Sequence, residues 1–273
     1  MELNGISDLE FATIRDFLFE KVGISLTASK KALVCSRLFK RVQALNFDSY
    51  GAYFSLLKSG KNQHELQTAI NLLTTNETYF FRESKHFGML SAIAEKADRG
   101  KTFRVWSAAC STGEEVYSIA MTLAELSRIA RAPKWEVRGS DISTRVLEVA
   151  RGGHYSFDRT EDIPAEFLKR YCLCGTDQYE GTLLVERSLR DKTEFAQINL
   201  IEPLPQLVPF DVIFLRNVLI YFDTPVKHKV VSQLLANLTP DGVLIVGMAE
   251  SLNGIVDGLI SVGPGAYRQE RRK

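Results

Sequence analysis

The chain is 273 residues long, 45% hydrophobic and 25% charged, with 34 Lys and Arg against 33 Asp and Glu. That is a globular composition with room for one large or two modest domains, and a net charge of +1 gives no global pull toward nucleic acid. No apolar run approaches the length of a membrane span, and Met1 to Glu20 carries acids early without an apolar h-region, so a cytoplasmic chain with reduced cysteines is expected.

Residues 8–80 read as all-helical. Leu9, Ile14, Phe17, Leu18 and Val22 share one face before a break at Gly23-Ile24, and further helical patterns run over Ser29 to Leu45, Ser49 to Ser59 and Glu65 to Leu73. Leu72 to Phe87, LLTTNETYFFRESKHF, joins this helical piece to a region of mixed strands and helices. It concentrates Asn76, Thr78 and Arg82 among the aromatics Tyr79, Phe80 and Phe81. From Phe103 onward strands and helices alternate: strands at Phe103 to Trp106, Trp135 to Gly139, Asp211 to Phe214 and Val243 to Met248, and helices at Glu114 to Ala130, Thr144 to Arg151 and Val226 to Leu238. Such alternation predicts a mainly parallel sheet with helices on both faces. Between Gly152 and Leu200 it breaks down, with a short helix at Pro164 to Tyr171 and short strands at Thr182 to Arg187 and Lys192 to Phe195. These are expected to form a small antiparallel insertion. Leu259 to Val262 and Tyr267 to Gln269 read as a terminal hairpin on the sheet edge.

The chemistry concentrates where strand Phe103 to Trp106 empties into the small-residue loop Ser107 to Gly113 and then a helix opening on Glu114 and Glu115. Small residues allow close approach of a ligand to the backbone. Two carboxylates in the first turn suit the helix dipole but repel a phosphate, so a dinucleotide site is disfavoured; a cofactor with hydroxyls and positive charge, such as S-adenosylmethionine, is tolerated. Asp141, past the second strand, is placed to meet ribose hydroxyls. An ordinary crossover whose acids merely cap a helix fits this segment equally well.

In DVIFLRNVLIYF, Arg216 and Asn217 close a strand at the end where open α/β sheets bind ligands. Asn199-Leu200 falls near the same crevice, where an asparagine could read an adenine edge. Tyr221 lies four positions after Asn217. Arg82 could orient a carboxylate by a bidentate contact. Lys30, Arg37 and Arg41, with Lys40 to one side, form a basic helical stripe suited to an acidic surface; most such faces are simply solvated. None of the four histidines has metal-ligand spacing, and no nucleophile motif is present, so no metal is expected.

The pieces TTNETYFFRE, RVWSAACSTGEEVYSIA, the GSD after the second strand, INLIE and FLRNVLIYF, in that order behind a helical segment, resemble the chemotaxis receptor methyltransferases, the CheR family. The resemblance implies a Rossmann-like S-adenosylmethionine-dependent methyltransferase domain over 81–273, an all-α receptor-docking domain over 1–80, and an inserted antiparallel β-subdomain over 155–196. It implies S-adenosyl-L-methionine as cofactor, S-adenosyl-L-homocysteine as product, and glutamate carboxylates of chemoreceptors as acceptors in chemotaxis adaptation. A non-catalytic S-adenosylmethionine sensor on a receptor array is the alternative.

By the same resemblance Asn76, Thr78, Arg82, Glu115, Asp141, Asn199, Leu200, Arg216 and Asn217 line the cofactor site, with Arg82 and Tyr221 nearest the methyl and the acceptor. Lys30, Arg37, Lys40 and Arg41 dock the receptor's methylation region, and the insertion grips a receptor C-terminal tether peptide. RYCLCGTDQYEGTLLVERSL keeps Gly175 and Gly181 of that insertion but carries Asp177 where the pattern has a middle glycine. A monomer without nucleic-acid or inserted membrane partners is expected.

Overall fold

The computed structural model describes residues 5–129 and 133–270. Four helices build the N-terminal part: α1 (Asp8–Val22), α2 (Lys31–Ala44), α3 (Tyr50–Lys58) and α4 (Gln63–Leu73). Their ends are written locally. The Ser7 hydroxyl accepts from the Glu10 amide at 3.2 Å while the Glu10 carboxylate accepts from the Ser7 amide at 2.8 Å, a reciprocal cap. Gly23, at φ +73°, closes α1 in the left-handed conformation glycine adopts without a Cβ penalty. Ser49 and Asn62 cap α3 and α4 through their side chains. The four helices bury one core that includes Phe11, Ile14, Leu38, Val42, Tyr53 and Ile70.

Residues 85–95, of which the sequence reading assigns only Lys85 to Phe87, to the junction, form a helix, α5 (Lys85–Glu95). After it come β1 (Thr102–Ser107), α6 (Glu114–Arg128), β2 (Lys134–Asp141) and α7 (Thr144–Gly152). The helix after Gly113 is expected from the sequence to reach Ala130, a residue outside the described set. The chain continues through β3 (His154–Ser156), α8 (Ala165–Tyr171), β4 (Cys172–Cys174), β5 (Thr182–Val185), α9 (Arg187–Arg190), β6 (Thr193–Gln197), β7 (Phe210–Leu215), α10 (Thr224–Leu235), β8 (Leu238–Val246), β9 (Leu259–Gly263) and β10 (Ala266–Gln269).

Seven strands form one sheet in the order β6-β2-β1-β7-β8-β10-β9, parallel from β6 through β8 and antiparallel over the terminal hairpin. Core clusters cover both faces. One packs α5 and α6 side chains such as Leu90 and Ile119 on Val105 and Phe214; the other packs Val230 and Leu234 of α10 on Ile213 and Leu244. The small antiparallel sheet has the order β3-β5-β4.

The strand anticipated at Lys192 to Phe195 forms, but not in the insertion: as β6 it pairs in parallel with β2 at the edge of the large sheet. The antiparallel insertion therefore draws its strands from residues 154–185. Short strands look alike in sequence whichever sheet they join, because partner choice is long-range. The predicted helix Val226 to Leu238 starts earlier, capped by Asp223, whose carboxylate accepts from the Val226 amide at 3.0 Å, and ends at Leu235 so that Leu238 can open β8.

The helical domain is latched to the sheet around one crevice. Asn71 exchanges bonds with Thr144 (2.9 and 3.0 Å), the Gln67 amide donates to the Ile142 carbonyl at 3.0 Å, and the Ser25 amide donates to the Tyr221 carbonyl at 2.9 Å.

Candidate active site

The strand order reverses between β1 and β7, and the carboxyl ends of the neighbouring strands open there onto a cavity of about 430 Å³. That lies within the range of small-molecule sites, about 300–1,000 Å³. The loop from β1 to α6 needs its small residues. Gly113 sits at φ +95°, and a Cβ there would lie 2.8 Å from the Ala150 Cβ. The Ser111 amide donates to Asp141 Oδ2 and the Ser143 amide to Asp141 Oδ1, both at 2.9 Å, tying the loop to the end of β2. Burial pushes the Asp141 carboxyl up despite those donors.

The adjacent acids of α6 part company. Glu115 lines the cavity, accepting from the Ser107 hydroxyl at 2.7 Å and from Arg216 Nη1 at 2.9 Å. Glu114 is fully buried away from it, bonded to Thr112 Oγ1 at 2.6 Å and Arg159 Nη1 at 2.7 Å, and burial pushes its pKa up. Neighbouring helical positions point about 100° apart, so only one of two consecutive acids can face a ligand.

Arg216 is 6% exposed at the end of β7, and a buried guanidinium needs partners. It bridges Glu115 and Glu83 and donates to the Arg82 carbonyl. Glu83 escapes sequence reasoning. Its Oε2 lies 3.0 Å from Arg216 Nη2 and 3.1 Å from the Met248 amide, and its Oε1 lies 3.3 Å from Asn217 Nδ2. The one available signal is its position directly after Arg82, in a segment that mixes polar groups with aromatics. Glu83, Phe81 and Asn217 all adopt positive φ, of 55°, 54° and 57°, sparsely populated by residues with side chains.

Asn76, Thr78, Arg82, Glu115, Asp141, Asn199, Leu200, Arg216 and Asn217 all line this one cavity, as does Tyr221. Arg82 is half-buried, 5.7 Å over the Tyr79 ring, and donates to the Glu77 carbonyl at 3.1 Å. Tyr221 closes a single 3-10 turn, Leu219–Tyr221, rather than an α-helix. The Asn199 amide is engaged across the domain seam, donating to the Lys21 carbonyl at 2.8 Å and to Glu202 at 3.0 Å.

The basic stripe divides. Lys30 and Arg37 line the cavity, and Lys40 is exposed. Arg37 ties α2 to the end of α4 by donating to the carbonyls of Leu73 (2.7 Å) and Thr74 (3.1 Å) and to the Thr75 hydroxyl (3.1 Å). Arg41 forks onto the buried Glu65.

The donor set suits a cofactor bearing hydroxyls, an ammonium and a sulfonium: acids at the helix start and the β2 exit, and no glycine-rich phosphate cradle. Comparison with known proteins agrees. A family model described as CheR methyltransferase, all-alpha domain, matches residues 9–74, and one described as CheR methyltransferase, SAM binding domain, matches residues 76–264. The chain is 40% identical to the chemotaxis protein methyltransferase of Salmonella typhimurium, over 98% of this chain and 92% of that protein. It is 41% identical to that of Escherichia coli (91% and 86%) and 41% identical to chemotaxis protein methyltransferase 2 of Pseudomonas aeruginosa (94% and 92%). The cofactor is S-adenosylmethionine, and the fold is an all-α domain joined to a Rossmann-like methyltransferase domain.

Proposed function

The chain belongs to the CheR methyltransferase family and is a methyltransferase dependent on S-adenosylmethionine, and from that premise we propose that it esterifies glutamate side chains of chemoreceptors in chemotaxis adaptation. The observation that carries this reading is the convergence of Arg82 and Tyr221, from separate segments, on the one cavity that also holds Glu115, Asp141, Arg216 and Asn217. Lys30 and Arg37 of the helical domain line the same cavity, so an entering carboxylate meets cations.

The bound cofactor supplies an electrophilic methyl group. A glutamate carboxylate, with an ordinary pKa of about 4.3, is already ionised and nucleophilic at neutral pH, so the protein's work is placement rather than proton removal. Arg82 and the Tyr221 hydroxyl orient the acceptor oxygen in line with the methyl and the departing sulfur. The domain seam, closed by the Asn71–Thr144 and Ser25–Tyr221 contacts, limits access of water. Arg82 orients without neutralising the acceptor, since its guanidinium also serves the Glu77 carbonyl and the Tyr79 ring.

The receptor docks on the helical domain, where Lys30 and Lys40 have no ion-pair partner among the described residues; Arg37 and Arg41 support the same face from within. A tether peptide is expected to add a strand to the small sheet, whose outer strands β3 and β4 each pair with one strand, β5, among the described residues. Asp177, standing where the pattern has a middle glycine, holds φ +53°, and aspartate is among the side-chain residues that tolerate that region best.

The test incubates the protein with methyl-labelled S-adenosylmethionine and receptor cytoplasmic fragments and counts base-labile label, with and without the receptor tail. Base-labile label is expected, reduced when the tail is removed. Cofactor binding without label refutes the acceptor and favours the sensor alternative.

A further inference from the structure

The loop between β1 and α6 is strained where it meets the cavity. Ser111, one of the lining residues, holds φ +49°, and Gly113 holds φ +95°. A residue with a side chain stays in the left-handed region only where its surroundings over-determine it. Some of the anchors belong to the lining itself: the Ser111 amide donates to Asp141 Oδ2 at 2.9 Å, and the Ser111 hydroxyl donates to the Asn76 carbonyl at 2.8 Å. Another comes from outside it. Tyr155, on β3 of the antiparallel insertion and 4% exposed, donates its hydroxyl to the Thr112 carbonyl at 2.7 Å. A Cβ on Gly113 would lie 3.0 Å from that hydroxyl oxygen, so the loop passes this close because glycine lets it. The Tyr155 ring packs edge-on against the buried Phe80, with centroids 5.1 Å apart, so one side chain braces both the loop and the segment 76–82 bonded to it through Ser111. Burial and the neighbouring Glu114 push the Tyr155 hydroxyl well above its ordinary pKa, so it remains a donor at neutral pH. Arg159, just past β3, binds Glu114 at 2.7 Å, one residue before the cavity-lining Glu115.

We propose that the insertion buttresses the cofactor site, with Tyr155 as a positioning residue whose hydroxyl holds residues 111–113 in the conformation that accepts S-adenosylmethionine. This role is separate from the grip on a tether peptide. Tyr155 does not line the cavity; it acts through the Thr112 carbonyl and through Phe80. Without the hydroxyl, the strain at Ser111 is opposed by fewer anchors, and the loop spends part of its time in relaxed conformations that do not bind. Apparent affinity then falls in proportion to the fraction of loop still competent. Because only cofactor binding is involved, the outcome is decided whether or not receptor glutamates are esterified.

The test measures S-adenosylhomocysteine binding by calorimetry, together with amide hydrogen exchange, on the full chain. It compares the parent with Tyr155→Phe, which keeps the ring on Phe80 and removes only the hydroxyl. The variant is expected to bind about three- to tenfold more weakly, the effect of one hydrogen bond. Exchange at residues 111–113 should accelerate without ligand and return to the parental rate at saturation. With receptor fragments as acceptor, KM for S-adenosylmethionine should rise by the same factor while kcat holds. A hydroxyl that merely stabilises the fold would lower Tm and leave affinity within about twofold of the parent, and that result overturns the proposal. If Tyr155→Phe fails to fold, judged by circular dichroism, the parent decides. By linkage a ligand stabilises whatever positions it, so saturating S-adenosylhomocysteine should slow exchange in residues 111–113 and in β3 together; a slowed loop beside an unchanged β3 refutes the buttress.

Discussion

Replacing Arg41 by alanine separates a docking role from a structural one. Glu65 is 2% exposed, and its carboxylate is held by the Arg41 fork, with Nε 2.9 and 3.1 Å from its two oxygens, and by the Tyr53 hydroxyl at 2.7 Å. Removing one member of a buried ion pair costs about 3–5 kcal/mol, because the other charge is left uncompensated. Arg41 retains 31% side-chain exposure and Tyr53 stays in place, which reduces the expectation to about 2–3 kcal/mol. At about 2–4 °C per kcal/mol, Arg41→Ala should lower Tm by roughly 5–10 °C.

The pH dependence gives an independent check on the same pair. Burial pushes Glu65 up, and Arg41 and Tyr53 more than offset it, so its folded pKa is lowered. A lowered carboxyl contributes stability above its unfolded pKa, about 4.3, and loses it as pH falls through the folded value. Without Arg41 the burial effect dominates, so the gap between parent and variant should close as pH falls below about 4. Urea unfolding from pH 3 to 7 measures this, and Glu65→Gln in the Arg41→Ala background should recover part of the loss. Receptor methylation well below both melting temperatures should stay near the parental rate. A gap under about 0.5 kcal/mol at pH 7, together with lost methylation, would refute the structural assignment and make Arg41 a docking residue.

Arg82→Ala should cut turnover by about 100-fold or more with Tm unchanged, whereas Tyr221→Phe should cost roughly tenfold, the loss of one hydrogen bond to a charged group; single-turnover methylation of receptor fragments measures both. Gly113→Ala forces a side chain at φ +95° and within 2.8 Å of the Ala150 Cβ, costing about 1–3 kcal/mol; both Tm and affinity for S-adenosylhomocysteine should fall. Arg159→Ala leaves the buried Glu114 without its cation and should cost about 1–3 kcal/mol, tempered by the half-exposed arginine. Because burial already raises Glu114, its charged form opposes folding as pH rises from the unfolded toward the folded pKa. The variant should therefore lose more stability than the parent over that rise, and an identical pH profile would exclude the pair.

Much of the architecture was legible because its signals are short-range. Gly23, where the sequence marks a break, ends α1 through a bond to Phe19 four positions back; Ser7, Asn62 and Asp223 begin helices through equally local bonds that the sequence reading passes over. The alternation of β-branched strands with amphipathic helices announced a parallel sheet before any partner was known. The cavity lining was legible for a related reason. Strand exits gather at one end of a parallel sheet, so polar residues after β1, β2, β6 and β7 fall around one crevice wherever the rest of the chain goes. Helix α5 was hidden because its first residues sit in an aromatic, polar segment that reads as a junction.

The sequence by itself determined the class of fold, the crevice and the type of cofactor it could accept. Tertiary structure alone decided what each charged side chain is for. Arg41 finds Glu65 across 24 positions, and Arg216 finds Glu83 across 133. Glu114 turns inward to Arg159 while its neighbour Glu115 faces the cavity. A charge costs little in water and much in a protein interior, so its role depends on whether a distant partner arrives to compensate it.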